Sequence, residues 1–216
     1  MHHKLPLLYS FRRCPYAMRA RMALILCQIQ VRVQEISLKA KPDGLLAANP
    51  KGTVPVLVKP DGEVISESLD IMLWAIEMSQ NSAIRAQLTY QQEQALTLIT
   101  ANDIDFKPWL DKYKYFDRYP DATQQDYRDR GCEFLALLEQ RLAQTPWLLG
   151  DNPSLADIAI FPFVRQFAAV DPAWFASAPY AALRHWLDNW LTHSAFTACM
   201  YKYPELGEPV ILKLAD

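Results

Sequence analysis

Cys14 and Pro15 join an apolar, strand-like segment (5–11) to a segment with helical spacing that ends near Gln28. Proline favours the first position of a helix, which would place Cys14 at the helix N-terminus. Free amides at such an end, together with nearby cations, lower a cysteine pKa and favour the nucleophilic thiolate. The candidate cations are Arg12, Arg13 and Arg19. The pattern predicts a reactive thiol at Cys14, with an inert capping cysteine as the alternative.

The remaining cysteines are scattered, and the sequence contains no C-x-x-C pair. Ala17 stands three residues after Cys14, where a dithiol enzyme carries its second thiol. A lone reactive thiol needs an external partner, and glutathione fits as a co-substrate that forms and then resolves a mixed disulfide. We expect no metal site and no disulfide, and we interpret three cysteines as buried structural residues: Cys27, Cys132 and Cys199.

Two dipeptides at element ends offer further polar groups. Pro55 follows a β-branched residue at the start of a strand, where a cis peptide would present the Val54 backbone to a ligand. A trans proline on an edge strand is the alternative. Glu67 and Ser68 precede an apolar helix, so Ser68 and free amides could bind a carboxylate while Glu67 holds an ammonium group. Alternatively, Ser68 only caps the helix.

The elements that position these residues read β-α-β-α-β-β-α over the first 80 residues. Strands are predicted at 5–11, 31–36, 54–58 and 63–66. The polar stretch Gln80–Gln87 predicts a linker. We therefore predict an α/β domain at 1–79 and an all-helical domain at 88–216.

Several apolar stripes at helical spacing follow the linker. One includes Asn102 and Phe106 and is interrupted at Pro108, and Ser154-x-x-Asp157 is a close variant of the capping box. The tail from Tyr203 carries no predicted element. Aromatic residues between Asn102 and Tyr119 could wall a substrate pocket or only pack the core: Phe106, Trp109, Tyr113, Tyr115 and Phe116.

Composition excludes several classes of function. The 216 residues carry a formal charge of -2, and no basic cluster is interleaved with aromatics, so nucleic acid is a poor partner. No signal-peptide core begins the chain and no 18-residue apolar run occurs, so we expect a cytoplasmic protein without a membrane segment.

In combination, the motifs resemble the glutathione transferase superfamily, and the cysteine is most similar to that of its omega class. The motifs are the segments 9–17, 41–42, 49–57 and 65–68 and the Ser154-x-x-Asp157 element. The resemblance implies a thioredoxin-like domain followed by an all-helical domain, with the second substrate between the two, and a homodimer. It also implies a mixed disulfide at Cys14 and a set of glutathione-binding residues: Phe11, Lys41, Val54, Pro55, Glu67 and Ser68.

Other transferase classes use tyrosine or serine to stabilise the glutathione thiolate, but Tyr9 and Ser10 lie upstream of the predicted turn, so we expect neither to be catalytic. The leading hypothesis is a glutathione-dependent thiol transferase that reduces dehydroascorbate or removes glutathione from disulfides. A transferase that conjugates glutathione to electrophilic small molecules is the second hypothesis. A non-catalytic module of the same fold that binds a protein partner is the third.

Overall fold

The computed structural model describes residues 5–205 and 207–215. The chain divides into two compact units, Met1–Ala86 with Thr192–Asp216, and Gln87–Leu191. The first holds a mixed sheet with helices and the second is helical, which confirms the predicted glutathione transferase fold. The limits 1–79 and 88–216 stay a prediction, and in the fold the residues from Thr192 onward lie with the first unit.

The first unit contains a five-stranded sheet in the order β4-β3-β1-β2-β5. Strands β1 and β2 are parallel, and the other neighbouring pairs are antiparallel. The strands are β1 (Leu7–Ser10), β2 (Arg32–Glu35), β3 (Val56–Val58), β4 (Val64–Ile65) and β5 (Val210–Ile211). Strand β5 comes from the tail that had no predicted element. It has only two residues, and it pairs with a strand that is far away in the sequence, so it leaves no local pattern.

Four helices accompany this sheet: α1 (Pro15–Leu26), α2 (Asp43–Ala48), α3 (Ser68–Met78) and α11 (Ser194–Cys199). Helix α1 contacts both α3 and α11, and every residue from Ala17 to Ile25 is buried. A helix buried on all sides is normally apolar throughout. Arg19 and Arg21 are therefore exceptional, because each buried guanidinium needs polar partners.

Seven further helices lie among the described residues; the first of them begins in the first unit and ends in the second, and the last ends one residue beyond the second unit. They are α4 (Ser82–Thr89), α5 (Gln92–Ala101), α6 (Lys107–Lys114), α7 (Gln124–Leu142), α8 (Leu155–Ala168), α9 (Pro172–Ser177) and α10 (Ala181–Thr192). A π-helical turn, Asn102–Phe106, joins α5 to α6, and Pro108 lies in the first turn of α6, where its missing amide hydrogen costs little.

Part of the predicted linker Gln80–Gln87 is helical, and the division between the two units falls within it. Helix α4 begins at Ser82 because the Asn81 side chain accepts hydrogen bonds from the amides of Ala83 and Ile84, both at 3.1 Å. The polar residues that suggested a linker include exposed positions of this helix.

Asp157 organises the start of α8, as the predicted capping box requires. Its carboxylate accepts from the Ser154 amide at 2.8 Å and the Ser154 hydroxyl at 2.6 Å, and the Ser154 oxygen accepts from the Asp157 amide. The carboxylate also accepts from the Leu148 amide at 3.0 Å and the Trp186 indole at 2.8 Å. Burial raises the pKa of Asp157, and these donors oppose that shift.

None of the helices in the described part of the chain has the length and apolar character that crossing a bilayer requires.

Candidate active site

Cys14 lies at the N-terminus of α1, as the sequence predicts. Its backbone is extended, with φ -74° and ψ 122°, and Pro15 begins the helix. The Cys14 amide donates to the Phe11 carbonyl at 3.0 Å, so residues 11–14 form a tight turn. Among the described residues, the Cys14 side chain makes no capping hydrogen bond to the amides of α1, and the reactivity of the thiol stays a prediction.

The thiol of Cys14 instead points to the backbone of Val54. Its Sγ donates to the Val54 carbonyl oxygen at 3.7 Å, and the side chain is half-buried. The Val54–Pro55 peptide is cis, which the sequence left open and the resemblance favoured. The side chain of Asn49 holds the turn before it. Its Nδ2 donates to the Thr53 carbonyl at 3.2 Å and to the Thr53 hydroxyl at 2.8 Å.

Lys41 lies beside the same loop. An added Cβ at Gly52 would stand 2.9 Å from the Lys41 Nζ, and the φ of Gly52 is +62°, so this position requires glycine. Lys41 itself is exposed, and its ammonium group is accessible to an anion.

Glu67 and Ser68 lie at the start of α3, where Ser68 does not occupy the capping position. Glu67 is the N-cap and is exposed, whereas Ser68 is the first helical residue and only 3% exposed. The alternative that Ser68 caps the helix is therefore wrong, because Glu67 occupies the N-cap position and the Ser68 hydroxyl lies toward Arg19 of α1. There it accepts a hydrogen bond from Arg19 Nε at 2.9 Å.

The three arginines predicted as cations near the thiol take different positions. Arg19 binds Ser68, and its guanidinium lies 5.0 Å from the centre of the Tyr16 ring. The exposed Arg13 lies 5.7 Å from the centre of the Phe11 ring. Arg12 contributes its backbone to the turn, with its amide on Glu35 and its carbonyl on Arg21.

Tyr9 and Ser10 are buried. Tyr9 belongs to a core cluster with Ile36, Leu45 and Val56, and burial raises the pKa of its hydroxyl. Ser10 accepts from Arg21 at 2.6 Å and is fully buried. These positions agree with the expectation that neither residue is catalytic. Phe11 packs at the edge of the same cluster, as does Val54.

The prediction that all three other cysteines are buried is wrong for Cys132, whose exposure is in the same range as that of Cys14. All four cysteines lie among the described residues and none is in a disulfide. Cys27 and Cys199 are buried, and Cys132 is half-buried. Across the described ranges, no group of three or more histidine, cysteine or acidic side chains is arranged to hold a metal ion.

The aromatic segment of the second unit has two kinds of residue. Phe106 and Tyr113 are core residues that stack on Phe167, so the packing alternative holds for them. Trp109 faces a groove of about 570 Å³, where the Lys112 ammonium lies 4.8 Å from the centre of its ring.

Sequence reasoning missed two residues behind the Cys14 turn, Arg21 and Glu35. Both are buried and both bind the backbone of Arg12. The sequence does show Arg21 between apolar residues of a predicted helix, which indicates a buried charge. Helical spacing alone could not show which residues Arg21 would bind.

Family models match both halves of the chain. The glutathione S-transferase N-terminal domain matches residues 13–78, and the glutathione S-transferase C-terminal domain matches residues 121–189.

Individual proteins extend the likeness. The chain is 43% identical over 166 residues to glutathione S-transferase omega-1 of Sus scrofa, a match that covers 76% of this chain and 67% of the relative. It is 25% identical to the maleylacetoacetate isomerase of Pseudomonas aeruginosa, over 88% of this chain and 92% of the relative. The crystal structure of the transferase URE2P6 from Phanerochaete chrysosporium, in complex with oxidized glutathione, has the same fold. Its TM-score is 0.78 at 17% identity, over 92% of this chain and 96% of that one.

Proposed function

The chain belongs to the glutathione S-transferase family, near its omega class, and from this premise we propose that it is a glutathione-dependent thiol transferase with Cys14 as its nucleophile. The observation that carries the proposal is the Cys14 thiol, half-buried at the N-terminus of α1 and 3.7 Å from the Val54 carbonyl. A thiol in this position is accessible to a disulfide and lies at the positive end of the helix dipole.

The proposed reaction has two exchange steps. The Cys14 thiolate attacks the glutathione sulfur of a mixed disulfide, the old S–S bond breaks, and the substrate leaves as a thiolate that takes up a proton. A second glutathione thiolate then attacks the glutathione sulfur on Cys14. Glutathione disulfide leaves and the Cys14 thiolate is restored. Over the two steps, one mixed disulfide and one glutathione give the free substrate thiol and one glutathione disulfide, and the number of S–S bonds is conserved.

We propose that glutathione lies along the loop and helix ends described above. The hydroxyl of Ser68 accepts from Arg19, which leaves its proton to donate to the γ-glutamyl carboxylate. Exposed Glu67 would hold the ammonium group, and exposed Lys41 the glycine carboxylate. The Val54 backbone, before Pro55, would bind the cysteinyl part of glutathione beside Phe11.

The binding of oxidised glutathione by a structural neighbour supports this choice of ligand. We expect protein incubated with oxidised glutathione to gain one glutathionyl group, which peptide mass spectrometry locates on Cys14. Reduction by dithiothreitol should remove the group. An adduct confined to Cys132, or no adduct at all while the protein remains folded, would contradict the proposed nucleophile.

Substitutions at the start of α3 should affect glutathione binding and spare the chemical step. We expect Glu67→Gln and Ser68→Ala each to raise the KM for glutathione about tenfold with little change in kcat, because the first removes the negative charge opposite the ammonium group and the second removes a hydrogen bond to the carboxylate. Steady-state kinetics at varied glutathione concentration measures both constants.

Matched controls lie beside both residues. Asp70→Asn removes a charge from the first turn of α3, and Ser66→Ala removes an exposed hydroxyl just before it. Both controls should keep the wild-type KM. If Asp70→Asn raised the KM as much as Glu67→Gln, general electrostatics at the helix end would explain the effect, and Glu67 would lose its assigned role.

Glutathione-dependent isomerisation is a second candidate, because the match to maleylacetoacetate isomerase covers 92% of that enzyme. That chemistry requires a free glutathione thiolate, whereas Cys14 would trap glutathione sulfur as a disulfide. The same argument applies to conjugation with an aryl halide. Initial rates with a glutathione mixed disulfide, an aryl halide and maleylacetoacetate separate the three reactions.

Failure to bind a glutathione matrix would instead favour the protein-binding module. The homodimer and the cytoplasmic location implied above stay predictions.

A further inference from the structure

Arg21 is fully buried on α1 and makes four polar contacts. Nε donates to Cys199 Sγ at 3.5 Å, and Nη1 donates to Ser10 Oγ at 2.6 Å. Nη2 donates to the Arg12 carbonyl at 2.8 Å. The Cys199 thiol in turn donates to the Met18 carbonyl at 3.6 Å, so the guanidinium is fixed on several sides.

Glu35 lies at the end of β2, beside Ser10 in the register of the sheet, and is 4% exposed. Its Oε1 accepts from the Arg12 amide at 2.5 Å, and its Oε2 lies 3.8 Å from Arg21 Nη1. Burial raises the pKa of Glu35, while the Arg12 amide and the Arg21 charge oppose that shift. The carboxylate therefore depends on these two partners for its stability in the core.

The two side chains bind two successive peptide groups of the turn that carries the thiol. Glu35 holds the amide on one side of Arg12, and Arg21 holds the carbonyl on the other. The amide of Cys14 then closes the turn on the Phe11 carbonyl. A rotation of either peptide would therefore break one of these bonds.

We propose that Arg21 and Glu35 are positioning residues that clamp the Cys14 turn and hold its thiol against Val54 at the end of α1. A buried ion pair is a weak source of net stability, because desolvation offsets much of its attraction. Here the pair binds the backbone of the reactive turn, and it therefore fixes the geometry that a reactive group requires.

The proposal rests on the proposed function only in taking Cys14 as the reacting thiol. It is therefore tested by alkylation with iodoacetamide, in which the thiolate displaces iodide and no glutathione takes part. Peptide mass spectrometry follows Cys14 separately from Cys132. A wild-type alkylation rate in the variants would overturn the clamp and leave the proposed function standing. Rapid alkylation of wild-type Cys14 without any glutathione adduct would contradict the proposed function and leave the clamp standing.

Two conservative variants probe the clamp. Arg21→Lys keeps the buried positive charge, but one ammonium group cannot reach Ser10, the Arg12 carbonyl and Cys199 together. Glu35→Gln keeps the shape but directs an amide donor at the Arg12 amide or at Arg21. We expect either change to slow alkylation of Cys14 about five- to tenfold at neutral pH.

A merely structural role would lower the melting temperature without changing the reactivity of the folded protein. Asp157→Asn is the matched control, because it alters a buried, hydrogen-bonded carboxylate in the second unit. It should destabilise the protein and leave Cys14 alkylation unchanged well below the melting temperature. Unchanged alkylation in both folded clamp variants, or in whichever one folds, overturns the proposal.

Discussion

Cys14→Ser is expected to lower the rate of reduction of a glutathione mixed disulfide by at least about 100-fold. A serine hydroxyl is similar in size but stays protonated at neutral pH, and it cannot form the disulfide that links the two exchange steps. The measurement is the coupled oxidation of NADPH by glutathione reductase, with a small mixed disulfide as substrate. Binding of glutathione should persist, because the residues assigned to its ends are unchanged.

Cys132→Ser is the control for this variant, since Cys132 is the other cysteine that is not fully buried. It should retain the wild-type rate. Residual activity of Cys14→Ser above about a tenth of the wild-type rate would show that glutathione reacts directly with the disulfide. The protein would then be a glutathione-binding transferase of another type, and conjugation would become the leading candidate.

Asp157→Ala is expected to reduce the free energy of unfolding by about 3–5 kcal/mol, because it leaves several buried donors without an acceptor at about 1–3 kcal/mol each. Those donors are the Leu148 amide, the Ser154 amide and the Trp186 indole. Urea unfolding followed by tryptophan fluorescence and circular dichroism measures the change, with agreement of the two signals as the test of a single transition.

Ser154→Ala provides the comparison for Asp157. It removes only the capping hydroxyl, so we expect a loss of about 1 kcal/mol. If the two variants lost equal stability, helix capping alone would account for the effect, and the bonds to Leu148 and Trp186 would contribute little. Asp157→Asn replaces Asp157→Ala if the alanine variant does not accumulate, since the amide oxygen still accepts from one donor.

Local patterns were sufficient for the fold and for the centre of the site. Pro15 marked the beginning of α1 and so placed Cys14 at its N-terminus, because proline geometry acts over one or two residues. The capping box at Ser154 and Asp157 was predictable for the same reason. The periodicity of apolar residues separated strands from helices in the first unit.

The direction of a side chain and the secondary structure of a polar stretch were not predictable from local patterns. The alternative that Ser68 caps α3 was wrong by one residue, because Glu67 is the N-cap and the Ser68 hydroxyl accepts from Arg19. The helix α4 within the predicted linker Gln80–Gln87 was not foreseen, since polar composition is common to loops and to exposed helices.

The amino-acid sequence by itself determined that Cys14 is a lone thiol at a helix end, because that conclusion needs only neighbouring residues. Tertiary structure alone decided what surrounds the thiol. The Val54 carbonyl is 40 residues away in the chain, and Glu35 reaches the Arg12 amide from the neighbouring strand. Such contacts follow from strand register and helix packing, which set the direction of each buried side chain and which no local spacing contains.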